Sequence, residues 1–171
     1  MGIAVFGAVF VDIKGYPSGQ YIPNGRNVGN VIQVHGGVSR NIAEDLGNIQ
    51  LNPSFISMVD SSGVGIDIIR RLNHHGVDTS YLRMVPNAVG TWLAVFDNNG
   101  DVVASISKRP DISGVLNILE EEGDKLISQC DSIALEVDIE EEILNKIFEL
   151  ANKYGKKVYA AVSNMSIAME R

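Results

Sequence analysis

Gly36-Gly37-Val38-Ser39-Arg40-Asn41-Ile42-Ala43-Glu44-Asp45-Leu46-Gly47 sets a glycine pair against the start of a helix whose first turns carry a polar Asn41 among apolar Ile42, Ala43 and Leu46. Paired glycines permit close backbone approaches that a side chain would block, and the free amides of a helix start favour polar or anionic groups. The same residues also fit a Gly-Gly turn into an ordinary surface helix. The surroundings shift the balance. An apolar strand pattern, Ile3-Ala4-Val5-Phe6-Gly7-Ala8-Val9-Phe10-Val11, ends at Asp12, and the glycine pair follows 24 residues later. A carboxylate where a strand gives way to a loop lies where open α/β sheets gather their ligands.

Strand-like runs at Ile3–Val11, Ser54–Val59, Ser132–Val137 and Lys157–Val162 alternate with helical patterns at Ser39–Ile49, Val64–His75, Leu116–Gln129 and Glu140–Tyr154. Such alternation predicts parallel βαβ units and an α/β body. The last helix is the clearest: Ile143, Ile147, Leu150 and Tyr154 recur at helical spacing, Glu140-Glu141-Glu142 sits at its start and Gly155 follows its end. Two stretches break the alternation, Tyr21–Val34 and Val89–Ser107. In the second, Asp97-Asn98-Asn99-Gly100-Asp101 separates two β-rich arms, the pattern of a hairpin.

A chain of 171 residues with 45% hydrophobic composition can bury one core, which predicts one domain. The formal charge of −7 and the lack of a basic cluster argue against a nucleic-acid partner. The single cysteine, Cys130, leaves no intrachain disulfide and no Cys-x-x-Cys metal site, so a cytoplasmic protein with a buried thiol is expected. No stretch approaches the roughly 18 continuous apolar residues of a membrane span. The first strand pattern has no positively charged segment before it, so it reads as a strand rather than a signal peptide.

With Asp12, Gly36, Gly37 and Asn41 in this order and spacing, the chain resembles the amino-terminal half of a PfkB (ribokinase-like) sugar and nucleoside kinase. Phe55-Ile56-Ser57-Met58-Val59-Asp60, Gly65 and Leu72-Asn73-His74-His75-Gly76-Val77-Asp78-Thr79 continue the resemblance across essentially all 171 residues. It implies a three-layer ribokinase-like α/β body with a small β lid formed by about 15–34 and 89–108. The whole is one incomplete domain, 1–171, truncated before the family's carboxy-terminal half. Within the family, Arg26-Asn27-Val28-Gly29-Asn30-Val31 and Gly-Gly-Val-x-Arg-Asn-Ile-Ala-Glu are most similar to the pseudouridine kinases.

The resemblance implies substrate-binding roles for Asp12, Gly36, Gly37 and Asn41, and for Asn27 in the lid and Glu136 near the end of a later strand. Asp12 can accept hydrogen bonds from two sugar hydroxyls, and Asn41 can both donate and accept. Read without the family, Asp12 fits a solvated turn, Asn41 a helix-start residue and Glu136 a solvated acid. Thr91 and Trp92 fall in the lid, where an aromatic plane covers a sugar or base or simply forms lid core. Gly63-Val64-Gly65-Ile66-Asp67 is set aside as a catalytic motif, and Asp67 is expected to face outward on a helix. P-loop and dinucleotide fingerprints are absent, the histidines lack metal-ligand spacing, and no serine sits in a Gly-x-Ser-x-Gly elbow.

Two departures from the resemblance concern the substrate. Ala160-Ala161-Val162-Ser163 stands where relatives often read Asp-Pro-Val-Ser, and Ser107-Lys108-Arg109-Pro110 replaces a Ser-Asp-Met. The resulting expectation is the substrate-binding half of a kinase that phosphorylates a primary hydroxyl of a sugar or nucleoside, with pseudouridine favoured. ATP and Mg²⁺ would serve the complete enzyme, and a homodimer through the lid is expected. Because the catalytic and ATP-binding motifs of the family lie further along, these 171 residues are expected to be inactive alone. A non-catalytic sugar or nucleoside binding module, or a kinase for another sugar such as ribose, remains the alternative.

Overall fold

The apolar run that opens the chain is two strands rather than one. β1 (Ile3–Phe6) and β2 (Val9–Pro17) are separated at Gly7-Ala8, and they belong to different sheets. A Cβ on Gly7 would fall on the Ser39 hydroxyl and come within 2.9 Å of Glu136 Oε2, so only glycine lets the chain turn there. Asp12 is therefore not the residue that ends the first strand. It lies inside β2, paired with Val34 on one side and Trp92 on the other.

The computed structural model describes residues 2–163 and 165–169. The body is a five-stranded parallel sheet built from β1, β4 (Ser54–Val59), β5 (Leu82–Met84), β8 (Ser132–Glu136) and β9 (Lys157–Ala161), in the order β5-β4-β1-β8-β9. Alternating residues of its strands feed two cores. Phe6, Ile56, Met58, Ile133 and Leu135 meet α3 (Gly114–Gln129) and α4 (Glu141–Lys153) on one face. Val5, Phe55 and Val59 meet α1 (Val38–Asn48) and α2 (Gly63–His74) on the other. Full burial of each such Leu, Ile or Phe contributes about 1.5–3 kcal/mol, and the two faces together hold the three layers. Cys130 is buried in the first core, as its place in the sequence suggests.

The sequence places helices and strands of the body within about two residues of their observed ends, apart from the break at Gly7. β5 and a short terminal helix, α5 (Met165–Ala168), are additions. A second sheet of four strands, β3-β2-β6-β7, takes in both stretches that broke the alternation: β3 (Gly29–Gly36), β6 (Val89–Phe96) and β7 (Val102–Lys108). It starts earlier than expected, at Val9. The β6–β7 hairpin turns at Asp97–Asp101, with Asp97 Oδ1 accepting from the Asn99 and Asp101 amides at 2.8 and 3.0 Å. Val9, Val11 and Val89 join the α1/α2 core, which fixes the second sheet against the body.

Candidate functional site

Where the second sheet meets the carboxyl ends of β1 and β8 there is a cleft of about 750 Å³. One wall is a row across the second sheet: Val34, Asp12, Trp92 and Ser107 are successive cross-strand partners, so their side chains share a face. Asp12, Trp92 and Ser107 of that row line the cleft. Lys14, two residues on, lies 3.4 Å from Asp12 Oδ2 and 5.9 Å from the centre of the Trp92 ring. Thr91 has the opposite parity and lies on the other face, away from the cleft.

The body supplies the opposite wall through the start of α1. Gly37 takes φ 97° at the helix N-cap, and a Cβ there would meet the Ala8 carbonyl at 2.5 Å. A Cβ on Gly36 would collide with the Asp12 carboxylate, which rests against that bare backbone. One turn into the helix, Asn41 faces the same cleft. Its Oδ1 accepts from Arg40 Nη2. An arginine only donates, so this pairing turns the Asn41 amide nitrogen away from Arg40 and leaves two N–H groups for a ligand.

Behind Asn41 the network continues inward. Arg40 is 5% exposed and also donates to Glu44, which receives Arg71 Nε at 3.0 Å and Nη2 at 2.7 Å from α2. The Arg71 hydrogen bonds, with those of Arg40, pull the Glu44 carboxyl down to about 2 against its burial. His75 Nε2 lies 3.5 Å from the same carboxylate.

The third wall is the loop after β8. Glu136 is 6% exposed, with Oε2 3.2 Å from the Ser39 hydroxyl and Oε1 2.8 Å from the Ser163 hydroxyl. Two residues later Asp138, also buried, faces the Ser163 hydroxyl through Oδ2. Arg109 closes the rim, and Trp92, Pro110, Ile112 and Ile139 give the cleft an apolar lining.

The structure thus gathers Asp12, Gly37, Asn41 and Glu136 around one cleft, with Gly36 supporting Asp12. It does not bring Asn27 there. Asn27 lies against a separate cavity beside Tyr16 and Tyr21, where its Oδ1 accepts from the Ile22 amide at 2.8 Å and its Nδ2 donates to the Ile22 and Gly25 carbonyls. Its amide is spent on holding a loop. Asp67 is on the outer surface of α2, paired with Arg70 at 3.4 Å and His35 at 3.3 Å, as expected. Asp138 escaped the sequence reading because it lies in the turn after β8, beyond the strand that made Glu136 legible and just before the acidic start of α4.

The family model for pfkB family carbohydrate kinases matches residues 2–171. The chain belongs to the pfkB family. This pfkB chain is 30% identical over 166 residues to a guanosine-inosine kinase of Exiguobacterium acetylicum, covering 96% of the chain and 55% of the relative. It is 26% identical over 152 residues to a pseudouridine kinase of Escherichia coli strain K12, covering 87% of the chain and 48% of the relative. Among solved structures, Arabidopsis thaliana ribokinase complexed with ribose and ATP superposes with a TM-score of 0.78 at 18% identity, over 95% of this chain and 54% of the ribokinase. The chain spans about half the length of the curated relatives it matches. The ribokinase-like fold is confirmed, and so is the likeness to pfkB kinases; pseudouridine is not singled out above purine nucleosides.

Proposed function

We propose that this chain is the acceptor-binding half of an ATP-dependent nucleoside kinase that phosphorylates a primary hydroxyl of the sugar. The observation that carries this reading is the pairing of Asp12 with Asn41 across one cleft. Asp12 presents only acceptors when ionised and Asn41 presents only its N–H groups, so a vicinal diol satisfies both, each hydroxyl donating to one and accepting from the other. Glu136 offers acceptors for a further hydroxyl. Trp92 supplies a flat wall of the size of a base, which a free pentose would leave bare.

We place ATP outside this cleft. Glu136 and Asp138 are buried carboxylates at its floor, and a triphosphate brought against them would meet like charge in a poorly screened site. Among the described residues no group of three His, Cys, Asp or Glu could hold a metal ion. We assign ATP to the other half of the kinase, together with the Mg²⁺ that would accompany its phosphates. The second sheet acts as the lid over the acceptor, and we infer that its outer face pairs two copies, because Leu93 and Ile106 are direct cross-strand partners left 39% and 70% exposed.

Trp92 is the only tryptophan, so ligand binding can be read from its fluorescence without phosphate transfer. Inosine, guanosine and pseudouridine are expected to quench it and to bind more tightly than ribose. Asp12→Ala should weaken each by roughly tenfold or more while the melting temperature holds, since hydrogen bonds to a charged group are worth about 1.5–3 kcal/mol. Equal affinity in the variant would overturn the reading.

A further inference from the structure

Asp138 carries an unmet demand. Its side chain is 7% exposed, its Oδ1 is buried with no hydrogen-bond partner among the described residues, and it lines the acceptor cleft. Among the described residues, donor hydrogens are scarce around it. Ser39 and Ser163 own one hydroxyl hydrogen each, yet together they contact four acceptors: the Phe6 carbonyl, both oxygens of Glu136 and Oδ2 of Asp138. Rotation about Cβ–Cγ only exchanges the two oxygens of Asp138, so it cannot cure the shortfall. Arg109 Nη2 stands 3.7 Å from Oδ2, too far for a hydrogen bond, and its side chain is 59% exposed at the rim.

A carboxylate short of a donor thus lies beside a guanidinium with donors to spare. We propose that Asp138 and Arg109 form a subsite that reads the lactam edge of a nucleobase, in which a ring N–H adjoins a C=O. The ring N–H supplies the hydrogen that Asp138 lacks, and the C=O accepts from Arg109. Trp92, Pro110, Ile112 and Ile139 border the same space with apolar surface, which suits a planar heterocycle and offers nothing to a hydroxyl.

This subsite rests on the nucleoside reading above and narrows it to hypoxanthine, guanine and uracil bases. Adenine presents the edge inverted, with a ring nitrogen that accepts and an exocyclic amine that donates. With the ribose anchored between Asp12 and Asn41, adenine sets a lone pair against Asp138 and an amine against Arg109. Sites built to pair a buried polar group reject ligands that leave it unpaired.

The test is a Trp92 fluorescence titration of the 171-residue chain and its Asp138→Asn and Arg109→Ala variants, with melting temperatures recorded alongside. Wild type is expected to bind inosine at least tenfold more tightly than 1-methylinosine or adenosine. Asp138→Asn, whose neutral amide oxygen accepts more weakly than a carboxylate, should narrow that preference while binding ribose as before. Arg109→Ala, changed at an exposed position, should weaken inosine and spare ribose, and it carries the test should Asp138→Asn fail to fold. Guanosine and pseudouridine titrations separate a purine lactam from a pyrimidine one. Equal binding of inosine and 1-methylinosine, or variants that weaken ribose as much as inosine, would overturn the subsite alone. No response to any ligand would overturn the nucleoside reading and the subsite together.

Discussion

Arg40 and Asn41 are sequence neighbours on α1, and the first donates to the side-chain oxygen of the second. One faces inward to Glu44 and the other outward to the cleft, so a buried ion pair sets which way an amide lining the cleft points. Asn41→Asp tests this. An aspartate there keeps the contact with Arg40 and turns it into an ion pair, but offers the ligand acceptors where two N–H groups stood. The variant is expected to melt no lower than wild type and to bind inosine at least tenfold more weakly, read by Trp92 fluorescence. Retained affinity would show that Asn41 does not donate to the ligand.

Glu44 makes stability depend on acid. Its carboxyl is held near 2 in the folded chain against an ordinary 4.5, chiefly by Arg71 and then by Arg40. A depressed acid contributes stability that is complete above the unfolded value and is lost as pH falls through the folded one. Between about pH 4.5 and 2 the chain should lose on the order of 3 kcal/mol from this residue. Glu44→Gln should lower the melting temperature at neutral pH, because Arg40 is left buried and uncompensated, and should flatten the acid side of the profile. A profile as steep as that of wild type would refute the assignment.

The two glycines at the head of α1 should fail in different ways. Gly37→Ala forces a side chain into φ 97° and against the Ala8 carbonyl, which should cost about 1–3 kcal/mol of stability in a denaturant titration. Gly36→Ala adds a methyl where the Asp12 carboxylate rests. Its main effect should be on ligand affinity, by tenfold or more. If Gly36→Ala binds as wild type does, Asp12 has another support.

The outer face of the second sheet makes a solution prediction. Ile106→Lys puts a charge on an exposed apolar position, so light scattering should report a shift from dimer to monomer with an unchanged melting temperature of the monomer. A wild-type chain that is monomeric at all concentrations would refute the pairing.

Periodicity made most of the body legible. The short apolar run of Ser54–Val59 reflects burial on both faces, the helical spacing in Glu141–Lys153 reflects one buried face, and burial is what hydropathy records. The split of the first strand left no such trace, since residues on both sides of Gly7 are buried and the run stays apolar throughout. The reason for the turn is Ser39 and Glu136, distant in sequence. Leu82–Met84 was missed because three partly exposed residues carry no pattern. In the site, Asn41 and Glu136 stood out by position and Asp12 only through the family resemblance, since it lies inside β2 rather than at a strand end, whereas Asp138 was masked by the acidic start of α4 just after it. Asn27 showed the reverse: an amide in a polar loop looks alike whether it binds a ligand or its own backbone.

Gly7-Ala8, where the chain leaves the body, and Gly37, where it returns, are pressed together, with the Ala8 carbonyl 2.5 Å from where a Gly37 Cβ would stand. Val89 of β6 enters the same buried cluster as Val9 and Val11 of β2, so the second sheet is held to the body at both of its inner strands. The row Asp12, Trp92 and Ser107 therefore stands in fixed register opposite Asn41, and the width of the cleft is set by the fold before any ligand arrives.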